Sequence, residues 1–251
     1  MGKNVIIFFL FTVTPQYLFA QGETEDLTSA SSDVAFVNAV NMYNNTIGRN
    51  SMIYTGGVYY DSQRGIKGHP FFMNDNWEIG TIVYEGQQYD SIEIKYDILR
   101  DLLLVKNVDK RGFIQPMQLY SLKVEEFNVM GHHFMNIGED TLTNFKTGFY
   151  DVLANGDKAK VLAKRRKKIN ETQSIGKLEK EYVINDIRYI KSGQEYYMVK
   201  GKNAILKVLS DRKNEINAFI RKNKARFKND HERQLIEVVE YYNSISNNTG
   251  S

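Results

Sequence analysis

From Met52 to about Val199 the chain alternates between apolar or aromatic and polar side chains, in short runs separated by turn signals. A β-strand sends successive side chains to opposite faces, so this spacing commits the middle of the chain to half-buried strands. Ser91–Tyr96 is the clearest run: Ile92, Ile94 and Tyr96 share one face, Glu93 and Lys95 the other. The other expected strands are Ile53–Tyr60, Glu78–Tyr84, Leu102–Lys106, Met117–Val124, Glu126–Met130, His133–Ile137, Phe149–Leu153, Ala159–Ala163, Ile187–Lys191 and Tyr196–Val199. Glu85-Gly86, Asn155-Gly156 and Ser192-Gly193 close hairpins, with a type I′ turn expected at Asn155-Gly156. Runs joined by tight turns without crossover helices pair antiparallel, which predicts a meander curved into a barrel-like or half-barrel sheet.

Both flanks read as helical. Ser32 or Asp33 caps a short N-terminal helix with Phe36, Val37, Val40 and Tyr43 on one face. Asn203 is expected to cap a helix that buries Ile205, Leu206, Leu209, Ile216, Phe219 and Ile220, with a break near Ser210. A second helix starts at Asn229, where Glu232 completes a capping box, and Leu235, Ile236, Val239 and Tyr242 form its apolar stripe. The predicted class is therefore α+β: a predominantly antiparallel curved sheet, a short N-terminal helix and a C-terminal helical hairpin.

The first residues have the plan of an export signal. Lys3 precedes the apolar core Val5–Val13, and Pro15 breaks it before Leu18-Phe19-Ala20. About nine apolar residues suit a cleavable signal and fall short of the roughly 20 that a permanent span requires. Cleavage is expected after Ala20. The organisation that follows is a signal peptide at 1–20, a flexible tether at 21–32 and a β-rich domain with the N-terminal helix at 33–201. The helical hairpin occupies 202–246 and a disordered tail 247–251. The chain has no cysteine, so no lipoprotein anchor, disulfide or thiolate chemistry is available, and the fold must stand on its apolar core. No later segment approaches transmembrane length. The helical C-terminus and short, outwardly charged strands argue against an outer-membrane barrel. The expected location is the periplasm or the periphery of the outer membrane.

Charge divides the chain unevenly. Residues 21–150 carry 10 Lys/Arg against 17 Asp/Glu, and residues 151–228 carry 21 against 9. The densest basic stretch runs from Lys158 to Lys168. Its members Lys164, Arg165, Arg166, Lys167 and Lys168 are candidates for contact with an anionic surface. An exported protein seldom meets nucleic acid, so lipid phosphate or an anionic glycan is the expected counterpart. The competing reading is a solvated strand end or a lysine-guarded sheet edge.

Rings gather between residues 54 and 84. Tyr54, Tyr59, Phe71, Phe72, Trp77 and Tyr84, with His69 in the turn Gly68-His69-Pro70, could line a concavity for an apolar or glycan ligand. The same rings are also the natural filling of a β core without disulfides. His132 and His133 are strand neighbours pointing to opposite faces, so they cannot readily share a metal. Asn74-Asp75-Asn76-Trp77-Glu78 fails the calcium-loop pattern, since Ile79 stands where that loop needs glycine. No nucleophile elbow, phosphate loop, dinucleotide fingerprint or zinc-protease helix occurs. No catalytic residue, metal site or cofactor is singled out. Asp90-Ser91-Ile92 and Asp140-Thr141-Leu142 match a short O-glycosylation pattern of exported bacterial proteins, which makes Ser91 and Thr141 candidate acceptors.

Several stretches carry a resemblance: Ile53-Tyr54-Thr55-Gly56-Gly57-Val58-Tyr59-Tyr60, Gly68-His69-Pro70-Phe71-Phe72, Tyr96-Asp97-Ile98-Leu99 and Leu102-Leu103-Leu104-Val105. Phe219-Ile220-Arg221-Lys222-Asn223-Lys224 and Tyr241-Tyr242-Asn243-Ser244 extend it. Together they resemble an uncharacterised family of exported envelope proteins common in Bacteroidetes. That resemblance implies export and architecture but no activity. The expected function is a non-catalytic envelope protein that binds an apolar or glycan ligand, such as an envelope lipid, or another envelope protein. The alternatives are an interaction module without a small ligand, and an exported hydrolase using a carboxylate pair.

Overall fold

A computed structural model describes residues 52–247, apart from 62, 64, 110, 139–144, 175 and 229. The expected signal peptide, tether, N-terminal helix, Thr141 and the tail after 247 lie outside the described residues. In chain order the strands are β1 (Gly57–Val58), β2 (Glu78–Tyr84), β3 (Gln87–Asp97), β4 (Leu102–Val108), β5 (Ile114–Gln118), β6 (Val124–Val129) and β7 (His132–Ile137). Then follow β8 (Gly148–Asn155), β9 (Ala159–Lys164), β10 (Lys167–Ser174), β11 (Lys177–Ile184), β12 (Ile187–Ser192) and β13 (Glu195–Met198). The helices are α1 (Lys202–Val208), α2 (Lys213–Lys222) and α3 (His231–Asn247).

Among the described residues, eleven strands form one sheet in the order β1-β5-β4-β3-β2-β6-β7-β8-β9-β12-β13. Every strand pair in it is antiparallel. The class is thus α+β with a large antiparallel sheet. The order is not a single meander. β2 to β5 run in sequence, and β6 then returns to the free side of β2 before a second run begins. β10 and β11 form a separate hairpin between β9 and β12.

Two expected strands are divided. Ile53–Tyr60 becomes a short 3-10 turn at Met52–Tyr54 followed by β1 alone. Gly56 lies so close to the Gln118 carbonyl that no Cβ would fit there. Met117–Val124 ends as β5 at Gln118, and a 3-10 turn at Ser121–Lys123 leads into β6. Asn136 Nδ2 holds that turn by donating to the Ser121 and Val124 carbonyls at 2.6 and 2.8 Å. Glu85-Gly86 does close the β2–β3 hairpin, with both residues at positive φ. Asn155-Gly156 does not form the expected I′ turn. Gly156 is absent from the left-handed region, Asn155 pairs with Lys160, and the glycine makes room for the Asn243 side chain.

The helical caps also differ from the sequence reading. Asn203 lies inside α1, with Gly201 at the cap position. Asp230 Oδ1 accepts from the Arg233 N–H at 2.9 Å and so caps α3, which leaves Glu232 free to turn toward the sheet. The break near Ser210 is present as a 3-10 turn at Ser210–Arg212.

Alternation along the strands sorts the rings by face. Ile82, Tyr84, Ile94, Tyr96, Leu103, Val105, Phe127, Phe134 and Phe149 fill one interior. There the Tyr96 ring meets Phe127, Phe134 and Phe149 at 5.3, 5.1 and 5.8 Å, and Phe127 stacks on Phe134 at 4.7 Å. Such ring pairs each add about 0.5–1.5 kcal/mol beyond burial. A second interior is mainly aliphatic: Val161 and Ile190 from the sheet meet Ile205, Leu209, Ile216, Ile220, Leu235, Val238 and Val239 from the helices. The other faces carry smaller clusters, one around Tyr59, Phe71 and Leu104 and one around Phe145, Tyr150 and Leu162.

Candidate functional site

Asp151 follows Phe149 by two residues on β8, so it shares the face of the ring-filled interior. It is 1% exposed, and a buried carboxylate needs partners. Arg165, the residue after β9, supplies them. Its Nε and Nη2 donate to Asp151 Oδ2 at 2.8 and 2.7 Å, and Nη1 reaches Asp186 Oδ2 at 3.0 Å. Nη1 and Nη2 also grip both oxygens of Glu232 at 2.9 Å, the planar fork that only arginine presents. Arg188 Nε adds a further bond to Glu232 Oε2 at 2.9 Å, and the Arg166 N–H donates to Asp186 Oδ1. His132 Nδ1 lies 2.8 Å from Asp151 Oδ2, and the Phe72 ring stands edge-on to His132 with Arg165 above it.

Burial pushes the Glu232 carboxyl up, but bonds from Arg165 and Arg188 outweigh it and hold the group below its ordinary value. Burial likewise opposes the Arg165 charge, and Glu232, Asp151 and Asp186 more than restore it. Three carboxylates therefore converge on one guanidinium. Hydrolysis by a carboxylate pair needs an acid kept neutral opposite a free base across a cleft. This cluster offers neither. It joins strands β8 and β9, the β11–β12 turn and the start of α3, at the seam between the two interiors.

Beside the seam is a cavity of about 450 Å³, whose lining includes Asp186, Arg188, Val199, Ile205, His231 and Leu235. It lies where the start of β12 and the end of β13 meet α1 and α3. Of its charged members, Asp186 and Arg188 are already engaged in the seam, and Lys200 is exposed.

The basic run is largely spent on internal bonds. Lys164 Nζ binds Asp101 Oδ2 at 2.5 Å and the Phe149 carbonyl at 3.0 Å, and burial lowers its pKa against the pull of Asp101. Arg165 is the centre of the seam. Lys167 Nζ donates to the His69 and Phe71 carbonyls at 2.9 and 2.8 Å. Arg166 and Lys168 are exposed.

The rings between 54 and 84 divide between two packed clusters rather than meeting in one concavity. Phe72 and Tyr84 belong to the large interior, with Tyr54 against it. Tyr59, Phe71 and Trp77 pack on Leu102 and Leu104 across β4. Tyr59 donates to the buried Asp97 at 2.9 Å, and His69 stacks on Phe71. None of the seven lines the cavity beside the seam. His132 and His133 do point to opposite faces, the first to Asp151 and the second to Glu126 at 3.1 Å. Ser91 is exposed at positive φ where β3 bulges opposite β2.

Sequence reasoning passed over Asp151, Asp186 and Arg188 and read Glu232 only as a helix cap, because the chain places Asp151, Asp186 and Glu232 more than 30 residues apart. A local signal does exist for the first. Asp151 interrupts Phe149-Tyr150-Val152-Leu153, and an acid within so apolar a strand calls for a buried cation. Asp97, within Tyr96-Ile98-Leu99, is the same kind of signal.

No protein-family model matches the chain, and comparison with curated proteins and with solved structures finds no match either.

Proposed function

We propose that this chain is an exported, non-catalytic envelope protein that acts as a protein-interaction module. In this reading residues 1–20 direct export, and the remainder works in the periplasm or at the periphery of the outer membrane. The observation that carries it is the filled interior. Tyr96, Phe127, Phe134 and Phe149 are buried and touch ring to ring, with Tyr84 buried in the same cluster, which leaves no lumen for a lipid or glycan among the described residues.

We also propose that the ring-filled part of the sheet curls toward a barrel. β5 and β6 are four strand spacings apart in the sheet, about 19 Å if it were flat. The link 119–123 includes a 3-10 turn and reaches only about 16 Å. The Lys167 N–H also donates to the Ile98 carbonyl at 3.2 Å, joining the start of β10 to the end of β3. Both distances support a curl. The rings from β3, β6, β7 and β8 then meet in its middle.

Apolar side chains left outside supply the contact surface. Val83, Leu122 and Met135 border a shallow depression of about 570 Å³ with Glu125 and Glu126 at its side. Leu122 is 86% exposed. An apolar floor with an acidic rim suits a partner protein that presents apolar and basic side chains. Native mass spectrometry of the protein purified from its own envelope tests this. The expected result is a complex with a second protein that is lost in the Leu122→Glu variant. A stoichiometric lipid or glycan on an otherwise free chain would overturn it.

A further inference from the structure

A dense group of exposed cations lies on the helical layer. Residues 202–228 contain nine Lys/Arg against Asp211 and Glu215. Arg212 pairs with Glu215, and Arg226 with Glu237 on α3. Lys207, Lys213, Arg221, Lys222, Lys224 and Lys228 are exposed, and none has an acidic partner within ion-pair distance among the described residues. Burial explains where they point. Ile205, Leu209, Ile216, Ile220 and Phe227 turn toward the sheet, so Lys207, Arg221 and Lys222 fall on the outward side of α1 and α2. Lys207 and Lys213 border one shallow depression, and α2 carries the charge about 15 Å onward to Lys222 and the loop beyond. Of the acids nearby, Asp211 is bonded by the Tyr242 hydroxyl and Glu237 is shared by Arg226 and Arg233. Glu240 on α3 is exposed.

We infer that this helical face docks on an anionic phospholipid bilayer. Nucleic acid is the other common polyanion, but single strands are held on exposed aromatic rings between the cations. Here Phe227 is buried and Phe219 stacks on Tyr241. The choice of a bilayer also rests on the export reading above. No helix among the described residues is long and apolar enough to cross a membrane. The attachment is therefore electrostatic and reversible, and salt weakens it.

Vesicle co-sedimentation tests the docking on the chain from Gln21 onward, the form that export would leave. Vesicles of phosphatidylcholine with 30% phosphatidylglycerol are compared with pure phosphatidylcholine at low and high salt. Each lysine or arginine near an anionic surface contributes about fivefold in partitioning. The Arg221→Gln/Lys222→Gln/Lys224→Gln variant should then lose binding by on the order of a hundredfold, with an unchanged circular-dichroism melt. Lys158→Gln/Lys168→Gln/Lys177→Gln, which removes the same charge elsewhere, should lose far less. Equal losses in both variants would show that net charge alone is at work, and would overturn the proposal. So would binding that ignores phosphatidylglycerol, or tighter binding to DNA than to the vesicles. Cell fractionation tests export separately, so failure of the docking and failure of the export reading are told apart.

Discussion

The two halves of this molecule exclude water by different means. The half built on β2–β8 fills its interior with rings drawn from its strands, joined by Phe72 from the loop before β2. The half built on β8, β9 and β12 has an aliphatic sheet face that cannot close on itself, and three helices cover it. The ring-filled half needs no polar interaction to define its partners, because each ring already meets several others. The covered half must fix a separate helical layer on a sheet, and apolar contact is non-directional. Arg165 supplies the direction, since its fork accepts only one placement of Glu232 relative to Asp151 and Asp186.

The comparison breaks most readily at its two centres. Arg165→Ala leaves Asp151 buried without its cation, and should lower stability by about 3–5 kcal/mol. Phe134→Ala opens a cavity among rings and should lower stability by a similar amount, about 3–5 kcal/mol. Urea denaturation read by both far-UV circular dichroism and hydrogen exchange distinguishes them. The arginine variant should lose protection in α1–α3 first, and the phenylalanine variant across β2–β7. Uniform loss of protection in both would show that the halves unfold as one.

A weaker contact ties the far end of the same helix. Asn243 Oδ1 accepts from the Lys158 and Ala159 N–H groups, and its Nδ2 donates to the Ala159 carbonyl at 2.9 Å. Asn243→Ala should lower stability by about 1–3 kcal/mol, with increased exchange at the β8–β9 turn and at the end of α3. No change at the turn would mean that the apolar face of α3 holds it alone.

The smallest effect is in pH. The Glu232 carboxyl is held below its ordinary value of 4.5, so its contribution is complete above that value and is lost as pH falls through the lower folded one. Denaturation midpoints taken from pH 6 down to pH 3 should fall for the native chain. They should fall less steeply for Glu232→Gln, which has no proton to gain. Parallel slopes would remove Glu232 from the acid response.

Legibility in the sequence followed the same division. β2 was read to the residue because its alternation reports a half-buried face, and β4, β7, β8, β9 and β12 to within two residues at either end; β4, β8 and β9 showed as short apolar runs buried on both faces. β10 and β11 were missed because their hairpin is mostly exposed on both sides, so no apolar period marks it. The return of β6 to β2 was also missed, since period-two patterns report faces and not neighbours. The α1–α2 break was expected near Ser210 and lies there, yet the cap of α3 was misplaced, because Glu232 had a stronger partner in Arg165. The basic run Lys164–Lys168 attracted attention as surface, and three of its five members turned out to serve internal bonds.

Asn243 also sets a timetable. The hairpin turn it clasps is complete some 84 residues before Asn243 is made. At about 5–20 residues per second, that interval is roughly 4–17 s, during which α1 and α2 are made before the part of the cover that α3 supplies. A chain cut short before α3 would lack Leu235, Val238, Val239 and Tyr242 and leave part of that aliphatic face bare. α3 thus closes the aliphatic face, and a copy without it is marked to proteases and chaperones by what it fails to cover.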